Sequence, residues 1–407
     1  MQNIGGMMNF DQLKTTAGLD VRGKRVLVRA DLNVPAKGGK ITDATRLARI
    51  VPSLKELSAR GAKVVIFSHF GRPKGGPDTE NSLRPVAAEL SKLLGAPVAF
   101  APDCIGEAAA AVVAALAPGS IAVLENTRFH TGEENNDPEF AAELAKLGDI
   151  FVNDAFSAAH RAHASTEGIT HLLASYAGPA MLAEINALRD SLEQPKRPTA
   201  AVVGGAKVST KIPVLSNIVT KVDHLIIGGG MANTFLQSMG VMTAQSLAEP
   251  EFHFNAREIM TAAKESGCKI VLPTDAVVAS ELTAGVATKV VSVHKVPLDG
   301  MILDIGPASI AHMASVLGGC KTLLWNGPMG AFEIAPFGEG TFALAREAAR
   351  LTKAGSLVSV AGGGDTVAAL NAAGVADDFT YVSTAGGAFL EWLEGTELPG
   401  VAALARG

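Results

Sequence analysis

One pattern governs this chain from end to end. A short β-branched apolar run is followed by a polar or glycine-rich turn and then by a segment rich in Ala and Leu. In the first half the runs are Val26–Val28, Val64–Phe67, Ile121–Leu124 and Ile150–Val152. In the second half they are Ala200–Val203, Leu225–Ile227, Ile270–Leu272, Leu323–Trp325 and Leu357–Val360. Helical spacing places helices over Arg46–Ala59, Pro85–Leu94, Phe140–Leu147, Glu251–Glu265 and Gly340–Leu351. Strands alternating with helices build parallel sheets, and near-continuous apolar strands belong in sheets covered on both faces. The expected class is α/β, with doubly wound, three-layer α/β/α domains and parallel sheets. A 48% hydrophobic share in 407 residues supplies the large cores such a fold needs.

The strongest boundary signal is Gly178–Pro198. Pro179 starts a helix without wasting an N–H. Met181, Ile185, Leu188 and Leu192 follow on one face, and Pro195 and Pro198 end it. This reads as an interdomain helix, giving domains at 8–178 and 199–390, a connector at 179–198 and a C-terminal tail at 391–407. A crossover helix inside one large domain is the alternative. Leu398–Gly407 shows no pattern of its own and is expected to pack on structure already built.

The totals exclude several classes. A net charge of -5 makes nucleic acid a poor main partner, though a local basic cleft remains open. Cys104, Cys268 and Cys320 lie far apart with no C-x-x-C pair, which disfavours a disulfide framework and a structural zinc site and fits a reducing compartment. No apolar run approaches the roughly 18 residues of a membrane span. The start lacks the plan of a signal peptide, and Met1–Met7 reads as a patternless leader. A cytoplasmic, monomeric protein is expected.

Ligands of open parallel sheets bind outside the carboxyl ends of the strands. In the first half those positions carry Asp31 and Asn33, His69 and Arg72, Asn126 and Arg128, and Asn153 and Asp154, with Arg46, His160, Arg161 and His163 nearby. One such arginine is ordinarily a solvated surface residue. Four arginines and a histidine at matching ends of separate βα units form a carboxylate or phosphate site, because the guanidinium fork donates two parallel hydrogen bonds. The second half carries Gly204–Gly205, Gly228–Gly230, Asn326–Gly327 and Gly362–Gly364. Glycines let backbone N–H groups approach phosphate oxygens, and Gly362-Gly363-Gly364-Asp365-Thr366 opens a helix whose N-terminus faces an anion. Asp365 either caps that helix or ligates Mg²⁺. Lys207 and Lys211, four apart after Gly204-Gly205, are expected on one helix face pointing at the glycine loops. The Walker pattern is absent, and G-x-G-x-x-G breaks at Asn233 and at Val367.

Seven stretches carry a family resemblance: Val28–Pro35 (VRADLNVP), Ser68–Pro73 (SHFGRP), Glu125–Phe129 (ENTRF), Ala159–Ser165 (AHRAHAS), Gly204–Lys211 (GGAKVSTK), Trp325–Glu333 (WNGPMGAFE) and Gly362–Thr366 (GGGDT). In this order they resemble the phosphoglycerate kinases, from about Leu19 to the C-terminus. The resemblance implies two α/β/α domains with six-stranded parallel sheets, the first holding phosphoglycerate and the second Mg-nucleotide, and a tail returning to the first domain. It implies substrate contacts from Asp31, Leu32, Asn33, Arg46, His69, Phe70, Gly71, Arg72, Arg128 and Arg161. Nucleotide contacts fall to Lys211, Asn326, Glu333, Gly362, Gly363, Gly364, Asp365 and Thr366, with Asp365 on Mg²⁺ and Glu333 on the ribose. Arg46, Lys207, Gly363 and Gly364 are implied around the phosphoryl group in flight. Ala385 in STAGG and Ile302 depart from the family pattern, both where it usually has glycine.

The implied reaction is reversible transfer of the acyl phosphate of 1,3-bisphosphoglycerate to ADP, with the domains hinging shut around both ligands. Another nucleotide-dependent small-molecule kinase is the nearest alternative. A non-catalytic phospho-ligand receptor would need neither Lys207 nor Asp365, and a nicotinamide dehydrogenase would need the missing dinucleotide fingerprint.

Overall fold

The computed structural model describes residues 13–74 and 76–406. The expected leader, Met1–Met7, lies outside them. The chain divides into two compact units. One takes the chain as far as Ile185 and again from Glu397, and the other is Asn186–Thr396.

The first unit contains β1 (Arg25–Ala30), a two-residue hairpin of β2 (Ala36–Lys37) and β3 (Lys40–Ile41), β4 (Lys63–Phe67), β5 (Val98–Phe100), β6 (Ile121–Val123), β7 (Ile150–Asp154) and β8 (Ser175–Ala177). Six of them form one sheet in the order β5-β6-β4-β1-β7-β8, every pair parallel. Val26, Val28, Val64 and Ile66 point to one face, where Leu47, Leu54, Val86 and Leu90 of the helices Thr45–Ala59 and Arg84–Leu94 cover them. Period-2 alternation sends Phe67 and Phe151 to the opposite face, where their rings stack at 6.1 Å between centroids. Both faces are buried, which is why the central strands show no polar alternation.

Pro179 does begin a helix, Pro179–Leu188, which continues as a π-helical turn over Arg189–Glu193. Met181, Ile185, Leu188 and Leu192 are all buried, as their spacing requires. Asp154 at the end of β7 anchors its first turn, accepting the Met181 N–H at 2.9 Å. The division between the units falls inside this helix, between Ile185 and Asn186.

The C-terminal segment corrects the sequence reading. Pro399–Arg406 is a helix, not a patternless tail. Val401 and Leu404 are buried, and Gly400 donates to the Ala159 carbonyl at 2.8 Å. A Cβ at Gly400 would lie 2.9 Å from the α-carbon of Ala159, so glycine permits the close approach.

The second unit contains β9 (Thr199–Val203), β10 (His224–Ile227), β11 (Lys269–Val271), β12 (Asp275–Ala279), β13 (Lys289–Ser292), β14 (Met301–Ile305), β15 (Thr322–Asn326), β16 (Val358–Ala361) and β17 (Tyr381–Val382). Six form a second all-parallel sheet in the order β11-β10-β9-β15-β16-β17. Trp325, Leu323 and Ala361 meet Leu344 and Ala348 of the helix Glu339–Lys353 on one face. An antiparallel sheet, β13-β12-β14, stands beside this arrangement and departs from the wholly parallel expectation.

Candidate active site

The carboxyl ends of the first sheet gather cations around a polar loop system. Asp31 and Asn33 follow β1, and Arg46 reaches them from the first turn of the helix Thr45–Ala59. The Arg46 Nη1 donates to the Asn33 carbonyl at 3.0 Å and lies 3.2 Å from the Asp31 Oδ2. The Ser157 hydroxyl donates to the same Asp31 oxygen at 2.6 Å. Asn33 accepts the Gly71 N–H at 2.9 Å, and the Gly71 carbonyl accepts from Arg128 Nη1 at 3.0 Å. Gly71 has φ +60°, a conformation that favours glycine, and a Cβ there would displace the Asn81 side-chain amide.

Beneath this layer lies a fully enclosed guanidinium. Arg29, in the interior of β1, is 1% exposed. It donates through Nε to Ser165 at 2.9 Å, through Nη1 to the Ala30 carbonyl at 2.6 Å, and through Nη2 to His69 Nδ1 at 2.8 Å. The buried carboxylate of Glu133, which accepts from the Ser165 N–H and hydroxyl, supplies the countercharge. A guanidinium only donates, so His69 Nδ1 must accept and the imidazole proton sits on Nε2. Burial, then the neighbouring Arg29 and Arg128, hold His69 well below the usual histidine range and therefore neutral. Burial and the same arginines bring His163 down to about 4.

The remaining first-half residues divide. Leu32 is fully buried and Phe70 nearly so. They shape the loops, while Arg72 and Arg161 are exposed. Asn126 turns inward, bonding the Phe70 N–H and carbonyl at 3.1 and 2.7 Å, and Asp154 holds the helix described above.

In the second sheet the turns after β9, β10, β15 and β16 interlock through missing side chains. A Cβ on Gly204 would sit 1.9 Å from the Pro328 carbonyl, and one on Gly229 would sit 2.5 Å from the Gly205 carbonyl. Asn326 accepts from Lys211 Nζ and donates to the Gly362 carbonyl at 2.8 Å, which ties these three positions together. Burial lowers the Lys211 pKa, with Asp365 opposing the shift. Gly363, at φ +97°, precedes the helix Gly364–Ala372, and a Cβ on Gly364 would meet open space. Thr366 is buried, and its hydroxyl accepts the Gly327 N–H at 2.7 Å. A cavity of about 320 Å³ opens beside these turns, lined among others by Gly205, Gly229, Ile302, Met329, Glu333 and Asp365. Asp304 stands in its wall at 2% exposure, bonded by the Gly340 N–H at 2.8 Å, and burial pushes its carboxyl up to about 7.

The lysines correct the sequence reading. Residues 205–211 form turns, and the helix begins only at Ile212, where Pro213 presets its first turn. Lys207 and Lys211 therefore share no helix face. Lys211 immediately precedes that helix and donates to Asn326, while Lys207 stands exposed in the preceding turn.

A family model described as phosphoglycerate kinase matches residues 16–396. The chain belongs to the phosphoglycerate kinase family. The phosphoglycerate kinase of Zymomonas mobilis is 62% identical over 385 residues, covering 95% of this chain and 97% of that protein. That of Rhodospirillum centenum is 61% identical over 391 residues, covering 96% and 99%. The solved phosphoglycerate kinase of Coxiella burnetii matches with a TM-score of 0.91 at 43% identity, covering 97% of this chain and 99% of that one. That of Pyrococcus horikoshii matches with 0.81 at 30% identity, covering 96% and 98%. Membership of this phosphotransferase family makes the chain an enzyme with the two-sheet α/β fold that its sequence pattern implies. Among the described residues, no helix is long and apolar enough to cross a membrane.

Sequence reasoning passed over Arg29, Glu133 and Ser165. The available signal was a charge in the interior of an otherwise apolar run, R-V-L-V-R-A, since a strand buried on both faces keeps a guanidinium only with a partner.

Proposed function

We propose that the first unit binds phosphoglycerate through Asp31, Asn33, Arg46, His69, Arg72, Arg128 and Arg161, with Leu32, Phe70 and Gly71 shaping the loops. The second unit binds the adenine nucleotide through Lys211, Asn326, Glu333 and the Gly362–Thr366 turn. One observation carries this reading. Two six-stranded sheets end in unlike chemistry, guanidinium and imidazole on one and glycine N–H groups on the other. The first set suits a small substrate with both a carboxylate and a phosphate, and the second suits a polyphosphate. His69, neutral with its proton on Nε2, donates to a substrate oxygen and accepts nothing from solvent at Nδ1.

The reaction moves the acyl phosphate of 1,3-bisphosphoglycerate to ADP, giving 3-phosphoglycerate and ATP, and runs in both directions. The ADP phosphate oxygen that attacks and the carboxylate that leaves are both already anionic, so no general base is needed. Catalysis reduces to alignment and to stabilising charge on a loose, metaphosphate-like phosphoryl group. Arg46 and Lys207 flank that group, and the N–H groups of Gly363 and Gly364 hold its oxygens. Asp365 fits a magnesium ion, since it offers a hard oxygen at the exposed start of the helix Gly364–Ala372, on the cavity wall and next to a glycine that leaves room for phosphate. Bound there, the ion neutralises nucleotide phosphate oxygens.

Each ligand belongs to its own unit, yet transfer needs the reacting atoms roughly 3–3.5 Å apart. Ligand-driven closure around the 179–198 helix meets that need and excludes water from the acyl phosphate. Small-angle scattering is expected to show compaction with phosphoglycerate and Mg-nucleotide together and less with either alone. An unchanged radius of gyration in the ternary complex contradicts closure. Both ligand sets lie on one chain, so we expect a monomer, working in the cytoplasm in glycolysis. Coupled ATP formation tests the reaction: it is expected from 1,3-bisphosphoglycerate, ADP and Mg²⁺ and lost when any one is omitted. ATP formed equally well without the acyl phosphate would point to a different kinase.

A further inference from the structure

Asp103, Cys104 and His130 stand apart from both ligand sites. Asp103 and Cys104 follow β5 and precede the helix Gly106–Ala114, while His130 closes the short turn Thr127–Phe129 beyond β6. β5 and β6 are parallel neighbours, so adjacent strands deliver the three side chains to one place at the same end of the sheet. A carboxylate oxygen, a thiol sulfur and an imidazole nitrogen there all lie within 4.8 Å of one another, the single such group among the described residues.

Two of the three groups bond to each other, and the second carboxylate oxygen stays open. His130 Nε2 is 2.7 Å from Asp103 Oδ1, and the same oxygen accepts the Cys104 N–H at 2.6 Å and the Ile105 N–H at 3.4 Å. Those bonds hold the carboxylate in place and leave Oδ2 for a further partner. Cys104 is fully buried, whereas the Asp103 and His130 side chains are 43% and 31% exposed. The group is thus closed by sulfur on the inside and open to solvent on the outside. Burial, then the neighbouring Asp103 and Glu133, push the Cys104 thiol up, so an ion binding there must displace the thiol proton.

We propose that Asp103, Cys104 and His130 form a three-ligand site for a divalent transition-metal ion of the zinc class, with its fourth position taken by water. Sulfur and imidazole donors select zinc, cobalt or cadmium over magnesium. A thiolate and a carboxylate together neutralise the dication, so the bound group carries no net charge into the partly buried site. Binding releases the thiol proton to solvent. The imidazole gives up its Nε2–H···O bond to Asp103, and solvent exchange moves that proton to Nδ1, so the neutral ring turns an Nε2 lone pair to the ion.

Cobalt is the probe. Reduced, metal-free, full-length protein titrated with Co²⁺ is expected to develop a near-ultraviolet thiolate-to-cobalt charge-transfer band and the visible bands of a tetrahedral ion. Both should saturate at one ion per chain, be erased by Zn²⁺ and withstand excess Mg²⁺. Cys104→Ser should abolish the charge-transfer band, His130→Gln should weaken cobalt binding roughly tenfold or more, and Cys268→Ser should change neither. Kinase activity of each variant reports that it has folded, because none of the three touches the proposed ligand sites. If Cys104→Ser fails to fold, His130→Gln decides the matter alone. Absence of the band at saturating cobalt overturns the proposal. So does a band that persists in Cys104→Ser, or cobalt affinity unchanged in His130→Gln.

Discussion

A guanidinium sealed inside a sheet needs both an anion and a full set of acceptors, and Arg29 has Glu133 for the first and Ser165, Ala30 and His69 for the second. Its effect reaches the surface through one imidazole, whose tautomer it fixes. Lys207 is the opposite case, an exposed cation that can follow a ligand. Lys207→Ala is expected to lower kcat about 100-fold or more while moving KM far less, since its proposed role places the lost charge on the group in flight. Steady-state kinetics with kcat within a few-fold of the parent would remove it from that role. His163 makes the pH behaviour specific. Its folded pKa of about 4 lies below the ordinary value near 6.5, so the unfolded chain binds the proton more readily between those limits. Its contribution to stability is complete above about pH 6.5 and is lost as the pH falls toward 4. Urea unfolding from pH 7 to pH 4 should show a shallower decline for His163→Asn than for the parent, and parallel curves would contradict the assignment. Asp31, Asn33, Arg46, His69 and Arg128 were legible in the sequence because strand ends announce themselves. Arg29 was not, because Glu133 and Ser165 are more than a hundred residues away along the chain and only the fold brings them to it.

Elements of the two parallel sheets were legible because burial on both faces writes a continuous apolar run, as in β1, β9 and β15. The edge strands β5 and β17 are short and contain no fully buried residue, so they write no continuous buried run, and β8 is a three-residue Ser-Tyr-Ala stretch with no apolar run either. The antiparallel sheet escaped for another reason. β13 is largely exposed and begins with a lysine, and β12 meets β14 through a register shift between Val277 and Val278, so neither offers a clean period of two. The lysine pair misleads because four-residue spacing carries helical meaning only inside a helix, and the chain there is a turn. Turns in the second unit depend on absent side chains, with Gly204 as the tightest point between β9 and β15. Gly204→Ala would drive a methyl into the Pro328 carbonyl. Overpacking of this kind costs about 1–3 kcal/mol, and the displaced turn should also weaken Mg-ADP binding. Urea unfolding and calorimetry that both match the parent would show that the turn has more room than its geometry allows.

Across the whole molecule the chemistry is divided by unit. Guanidinium and imidazole groups crown the first sheet, and lysines and glycine turns crown the second. Among the described residues, neither set contains an acid–base pair that the reaction would need if its nucleophile had to lose a proton. Such a site suits a transfer between two oxygens that are already anionic, with alignment and charge as the source of rate. The family supplies the activity, and the proposed division of labour gives each ligand its own unit. Calorimetry on two variants tests that division most directly, with 3-phosphoglycerate and Mg-ADP titrated separately into each. Arg128→Ala should lose most of its phosphoglycerate affinity and keep that for Mg-ADP, and Asp365→Asn should do the reverse. A crossed pattern of this kind is what two separate sites require. Equal loss of both affinities in either variant would mean that the ligands share one site and that the division is wrong.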